Sequence, residues 1–294
     1  MEKRILTLPC SLYRKQATIY PASVPDVKAV ILYLHGGGLL YGAREDLPEQ
    51  HLQLLTSAGC TVIALDYPLA PAAKLPEILA DVEASLKAFL MHPERFGCEP
   101  LPYFLWGRSS GAYLWLTAAA RLWGAPDSKG EPLRPPAGIL SYYGYGFLCD
   151  GWFTEPSPYY LSFPAVDRRC LEALPPEIHA EGSLETHYSV YVYARQTGKW
   201  LSLLYTGREK YFYRDYTLRL CGKLPCPLFA AHSTADPDVP FSEYLELTGR
   251  YPARTFLAAV PEHDFDRHPE SPAAEKLLEE TLGFLNARTR ECSS

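Results

Sequence analysis

The sequence predicts an α/β protein built on a mostly parallel sheet, and three observations carry that expectation. Short apolar runs rich in β-branched and aromatic residues alternate with helix-period segments along the chain. Most of the apolar runs end in Gly, Asp, Ser or His, the residue types that gather outside the carboxyl ends of parallel strands, where open sheets bind ligands. At 294 residues, 47% hydrophobic and 21% charged, the chain can bury a large core and exceeds what one compact domain commonly needs, so one domain with a sizeable insertion is expected.

Strands are expected at 29–34 (AVILYL), 61–65 (TVIAL), 102–106 (PYFLW), 138–143 (GILSYY), 227–231 (PLFAA) and 254–259 (RTFLAA). Helices are expected over 47–57, 76–89, 110–123, 242–249 and 272–287. Between the fourth and fifth of these strands the alternation breaks. The segment 147–222 is dense in aromatic residues, with helical stretches at 185–198 and 199–206 and an irregular start marked by Pro156, Pro158 and Pro164. It reads as a cap inserted into a catalytic domain formed by 1–146 and 223–294.

Composition excludes several classes. The net charge is −6, and Lys and Arg are scattered in runs no longer than two, so no phosphate-tracking surface is expected and nucleic acid is not a partner. No run of about 18 apolar residues occurs, which excludes a membrane span, and the apolar stretch after Lys3 and Arg4 stops at Pro9, too soon for an export signal. The eight cysteines form no C-x-x-C pair and no zinc-ligand spacing, so they are read as thiols of a reducing cytoplasm, with no metal and no organic cofactor.

Three segments carry chemistry. Gly107-Arg108-Ser109-Ser110-Gly111 follows a strand and opens an Ala-rich helix, the context in which G-x-S-x-G holds a nucleophilic serine on a strained turn at a helix N-terminus. His35-Gly36-Gly37-Gly38 ends the strand 29–34, and its glycines let backbone N–H groups approach a developing oxyanion; a phosphate cradle is disfavoured because the P-loop's Gly-Lys-Ser/Thr ending is missing. Asp236 and His263 each follow a later strand, giving the chain order Ser, Asp, His. A histidine can take the serine proton near neutral pH while a carboxylate fixes its tautomer. Ser109, His263 and Asp236 are therefore the candidate nucleophile, base and orienting acid.

These motifs, together with Asp66-Tyr67-Pro68-Leu69-Ala70-Pro71, resemble the hormone-sensitive-lipase-like group of α/β-hydrolase fold esterases, over about 29–144 and again from 225 to the C-terminus. The resemblance implies an α/β-hydrolase fold and a serine carboxylesterase that cleaves small esters through an acyl-enzyme on Ser109. It assigns the oxyanion hole to the amides of Gly37, Gly38 and Ser110, and a bracing part to His35 and, after the next-to-last strand, His232. The chain departs from the group in carrying Arg108 where an acidic residue usually precedes the nucleophile. Arg108 is expected to form an ion pair that braces the turn; the sharper alternative is a cation that selects acidic substrates. His51, His92, His179, His187 and His268 sit in no motif and are expected to be solvated.

Most cap aromatics are expected to form the cap's own core, with Trp152 and Tyr191 as candidates for facing the substrate. A peptidase or acyltransferase would share the Ser, Asp, His set, and a binding protein on the same scaffold is the non-catalytic alternative. The natural ester and the oligomeric state stay open at this point.

Overall fold

The computed structural model describes residues 2–124, 133–268 and 270–293. Among the described residues eight strands form one sheet: β1 (Arg4–Thr7), β2 (Gln16–Tyr20), β3 (Ala29–Leu34), β4 (Cys60–Leu65), β5 (Tyr103–Arg108), β6 (Gly138–Tyr142), β7 (Leu228–Ser233) and β8 (Ala253–Ala258). Their spatial order is β1-β2-β4-β3-β5-β6-β7-β8. β1 with β2 and β2 with β4 pair antiparallel, and all other neighbours pair parallel. The six expected strands are present, the one at 29–34 with the expected ends and the others with ends within two residues of those expected. β1 and β2 were not anticipated, because each is short and neither is a continuous apolar run.

The central strands β3 to β7 are buried throughout because both faces of the sheet are covered. Val30, Leu32 and Leu34 of β3 pack on one side, with α2 (Leu75–Met91) and α3 (Ser110–Trp123). Ile31 and Tyr33 pack on the other, with α1 (Glu49–Ser57) and the C-terminal α9 (Pro272–Ser293). α8 (Phe241–Arg250) joins the first side through Tyr244 and Leu247. The eight cysteines are unpaired. Among the described residues, no helix is long and apolar enough to cross a membrane.

Between β6 and β7 the chain forms α4 (Pro158–Leu161), α5 (Tyr188–Thr197), α6 (Trp200–Leu204) and α7 (Glu209–Asp215). α5 and α6 lie within the expected helical stretches, whereas α7 was not anticipated. Phe153, Tyr160, Val190, Trp200 and Phe212 of this insertion belong to the same apolar cluster as α2 and α3, so the insertion shares the core of the sheet's first face. Backbone and side-chain bonds seat it on the loops that follow β3 and β4: Gly42 and Gly182 pair antiparallel, Leu69 N–H donates to His179 O at 2.9 Å, and Trp200 Nε1 donates to Gly38 O at 2.8 Å. Glu243 of α8, fully buried, fixes the insertion's first turn by accepting from the N–H groups of Gly146, Phe147 and Cys149.

Candidate active site

β5 runs to Arg108, and Ser109 follows at φ 51°, ψ −119° before α3 begins at Ser110. A non-glycine residue with positive φ is strained, and the surroundings hold it there. Ser109 N–H donates to Tyr142 O at 2.9 Å, and its own carbonyl accepts from Ala112 and Tyr113 in the first turn of α3. The flanking glycines are required by space. A Cβ on Gly107 would lie 2.2 Å from Ala112 N, and one on Gly111 would lie 2.2 Å from Leu34 O. Thus the spacing seen in the sequence is a packing condition for the turn.

Ser109 Oγ lies 2.9 Å from His263 Nε2, and His263 Nδ1 lies 2.6 Å from Asp236 Oδ2. The other oxygen of Asp236 accepts from the N–H groups of Asp238 and Val239 at 2.8 and 2.9 Å, which fixes the carboxylate. Burial by itself would raise the Asp236 pKa, but the His263 charge and hydrogen bond bring it below its ordinary 3.8. For His263, burial opposes the charged form; the Asp236 carboxylate overcomes that, with Asp238 and Asp264 adding to it, and the pKa is pushed up to about 9. Only the neutral imidazole can take a proton from Ser109, and once it does the resulting imidazolium is stabilised beside a fixed carboxylate.

The loop after β3 presents backbone amides beside Ser109. Gly36 O accepts from Tyr67 Oη at 3.2 Å, and Gly37 O accepts from the N–H groups of Leu40 and Tyr41 at 3.0 and 3.1 Å. In a trans peptide the next N–H points opposite to the carbonyl, so these bonds turn the amides of Gly37 and Gly38 away from the loop's own partners. Positive φ of 100° and 58° at these two glycines makes the turn possible. Ser110, at the start of α3, has an amide with no partner inside the helix. Gly36, Gly37, Gly38 and Ser109 line one cavity of about 40 Å³. His35 lies under the loop, stacked on Tyr67 with ring centroids 4.3 Å apart, and its Nδ1 is 2.7 Å from Gly36 O. Burial lowers its pKa to about 4, so it stays neutral and serves as a brace. His232 has a matching place below the acid loop, with Nε2 3.1 Å from Val239 O and 3.6 Å from Asp236 Oδ2.

Arg108 is buried, with Nη2 donating to Asp266 Oδ1 at 2.9 Å and Nε to Tyr143 Oη at 2.5 Å. Tyr143 Oη in turn donates to Asp266 Oδ1 at 2.8 Å. Burial disfavours the Arg108 charge, yet Asp266 holds its pKa well above the ordinary value; correspondingly Asp266 is held below the usual carboxylate range despite burial. The guanidinium is thus spent on an internal pair.

Other expectations need correction. Trp152 does not line the cavity at Ser109: its Nε1 donates to Glu243 Oε1 at 3.1 Å, and its ring packs on Tyr145, Phe153 and Trp200. Tyr191 does line that cavity, with its ring against Gly38, where a Cβ would come within 2.1 Å of it, and its hydroxyl donates to both oxygens of Asp238. Of the histidines expected in solvent, His51 is fully buried, with Nε2 3.0 Å from Asp266 Oδ2, because α1 turns it with Leu52 and Leu55 toward the sheet. His187 is also buried, with its Nε2 2.9 Å from that of His179.

Four site residues escaped sequence reasoning: Tyr143, Asp238, Asp266 and Arg267. Tyr143 stands edge-on to the His263 ring at a centroid distance of 4.7 Å. Arg267 clamps Asp46, after the glycine loop, at 2.8 and 2.7 Å, and Asp264 at 2.6 Å. The available signal was the run Asp264 to Arg267 directly after the candidate base, together with an arginine inside a buried turn that demands a buried anion.

With this sheet and site the chain has the α/β-hydrolase fold. It matches the family described as alpha/beta hydrolase fold over residues 31–165. A protein of unknown function from Staphylococcus aureus subsp. aureus Mu50 shares 30% identity at a TM-score of 0.82, over 98% of this chain and 100% of that one. An alpha/beta hydrolase superfamily protein from Enterococcus faecalis shares 28% at 0.80, over 97% and 98%. A hyperthermophilic esterase from the archaeon Pyrobaculum calidifontis has the same fold at 18% identity and a TM-score of 0.66, over 97% of this chain and 85% of that one.

Proposed function

We propose that this protein is a serine carboxylesterase acting on small carboxylic esters. The observation that carries the reading is the series Ser109 Oγ, His263 Nε2, His263 Nδ1 and Asp236 Oδ2, joined at 2.9 and 2.6 Å in a cavity that Gly37 and Gly38 line, with Ser110 opening the helix directly after Ser109. Ser109 Oγ attacks the ester carbonyl as its proton passes to His263 Nε2. The carbonyl oxygen becomes an oxyanion that accepts from the three amides. Collapse breaks the bond to the alcohol oxygen, which takes the proton from His263, and leaves an acyl group on Ser109. Water, deprotonated by the same imidazole, attacks the acyl-enzyme; the acid departs and Ser109 regains its proton.

The segment 147–222 acts as a cap on the domain formed by 1–146 and 223–294. This is supported by the seating of Tyr191 and Trp200 on Gly38, which closes one side of the space around Ser109. A fluorophosphonate probe tests the reading: Ser109 of the folded protein is labelled and its Ser109→Ala variant is not, while p-nitrophenyl acetate is hydrolysed only by the former. Folded protein that neither labels nor hydrolyses the ester would overturn it.

A further inference from the structure

We propose that the esterase site selects esters whose alcohol part carries a positive charge, such as a quaternary ammonium. This rests on the reading of Ser109 as nucleophile, and it names the substrate class of that site. The alcohol part is located by the chemistry of departure: its oxygen must receive the proton of His263 Nε2, so it leaves on the imidazole side. The cavity of about 40 Å³ at Ser109 and the glycine amides leaves room for little more than a small acyl group. On the His263 side a cavity of about 730 Å³ opens to solvent between the loop after β3, the loops after β7 and β8, and the insertion.

That larger cavity is both aromatic and acidic. Tyr41, Tyr159, Tyr160 and Tyr188 contribute rings, and ring faces attract cations through their quadrupole. Asp46, Glu181, Asp238, Glu262 and Asp264 contribute carboxylates; among the described residues Arg267 is its one lining arginine, and His263, which also lines it, is paired with Asp236.

The pairing of these charges leaves the carboxylates in excess. Arg267 is shared between Asp46 and Asp264. Arg44, outside the cavity, is shared between Glu181 and the buried Asp66. Arg195, 3.4 Å from Asp238, neutralises one carboxylate. Glu262 is exposed and has no ion-pair partner among the described residues. Arg108 does not offset this charge, being paired internally with Asp266. An anionic ester therefore meets repulsion at the mouth and a cationic one attraction, strongest at low salt.

The test compares choline acetate ester with 3,3-dimethylbutyl acetate, its uncharged isostere. The expected kcat/KM ratio is about tenfold or more in favour of the cation at about 0.01 M ionic strength, falling severalfold at about 0.5 M. Glu262→Gln and Glu181→Gln together should bring that ratio toward one. A ratio of one or less in the unaltered protein, with both esters hydrolysed, overturns the charge selection and leaves the esterase reading standing. Absence of fluorophosphonate labelling overturns the esterase reading instead. Calorimetry on Ser109→Ala protein, which needs no turnover, provides the independent check: choline should bind more tightly than 3,3-dimethylbutanol, and equal or weaker binding rejects the proposal.

Discussion

Arg108 Nη2 donates to Asp266 Oδ1 at 2.9 Å, and this bond ties the residue before Ser109 to the residue three positions after His263. Two loops that must be held at hydrogen-bond distance from each other are thereby joined by a buried ion pair, with Tyr143 bridging the two charges. His51 of α1 stands on the carboxylate's other oxygen.

Removing one partner of this pair strands a buried charge. Arg108→Ala or Asp266→Ala should therefore cost about 3–5 kcal/mol of stability, read as a fall in the urea midpoint. If Arg108 serves only the brace, turnover of neutral and acidic esters should drop by the same factor. A rise in KM confined to acidic esters would show instead that the guanidinium touches substrate.

The Ser109, His263 and Asp236 series makes a graded expectation. Ser109→Ala should lose at least about 10⁴-fold in p-nitrophenyl acetate turnover while keeping its unfolding midpoint, and His263→Ala should lose nearly as much, since such residues act as a unit. Asp236→Asn should lose somewhat less. Near-normal turnover by Ser109→Ala would remove the central assignment.

The pH dependence follows from the His263 pKa of about 9. Protonated imidazole cannot accept the Ser109 proton, so kcat/KM should climb as pH rises, with its midpoint well above the ordinary histidine value of 6.5. Stability runs the other way. A folded-state pKa above the unfolded one means that the His263 contribution is complete below about 6.5 and is lost as pH rises through about 9. Asp236→Asn removes the main raising charge and should move the kinetic midpoint down. A profile centred at or below 6.5 in the unaltered protein would contradict this electrostatic picture.

Motifs made the candidate site residues legible before the structure, because a G-x-S-x-G turn or a triple glycine is demanded by local geometry: Gly107 and Gly111 have no room for a Cβ. Partners that depend on tertiary packing were not legible. Nothing around His51 announces that α1 turns it onto Asp266, and the indole of Trp152 looks the same in sequence whether it faces an ester or Glu243. β1 escaped because it is a short, largely exposed edge strand that pairs with β2. Arg108 lies between these cases, since its position suggested a brace but its partner lay 158 residues away.

Chain-length preference should follow from the small cavity at Ser109. Its walls include the glycine loop, Tyr143 and Tyr191, and its volume is about 40 Å³, room for a few waters where one needs about 10–15 Å³. An acetyl methyl suits such a space, and each added methylene must displace a packed ring or turn back past His263. Activity should fall steeply from acetyl or butyryl esters to long-chain ones, with no activation at a lipid interface. Tyr191→Ala opens this wall and should shift the preference toward longer acyl chains. Because Tyr191 Oη also holds Asp238, Tyr191→Phe separates the two effects: it loses the hydrogen bonds but keeps the ring, and should keep the short-chain preference. Trp152→Ala, by contrast, should weaken the insertion's first turn and leave chain-length preference unchanged, since the indole packs away from that cavity. Efficient hydrolysis of long-chain triglyceride emulsions, or a Tyr191→Ala variant with an unaltered chain-length profile, would show that these rings do not set the acyl limit.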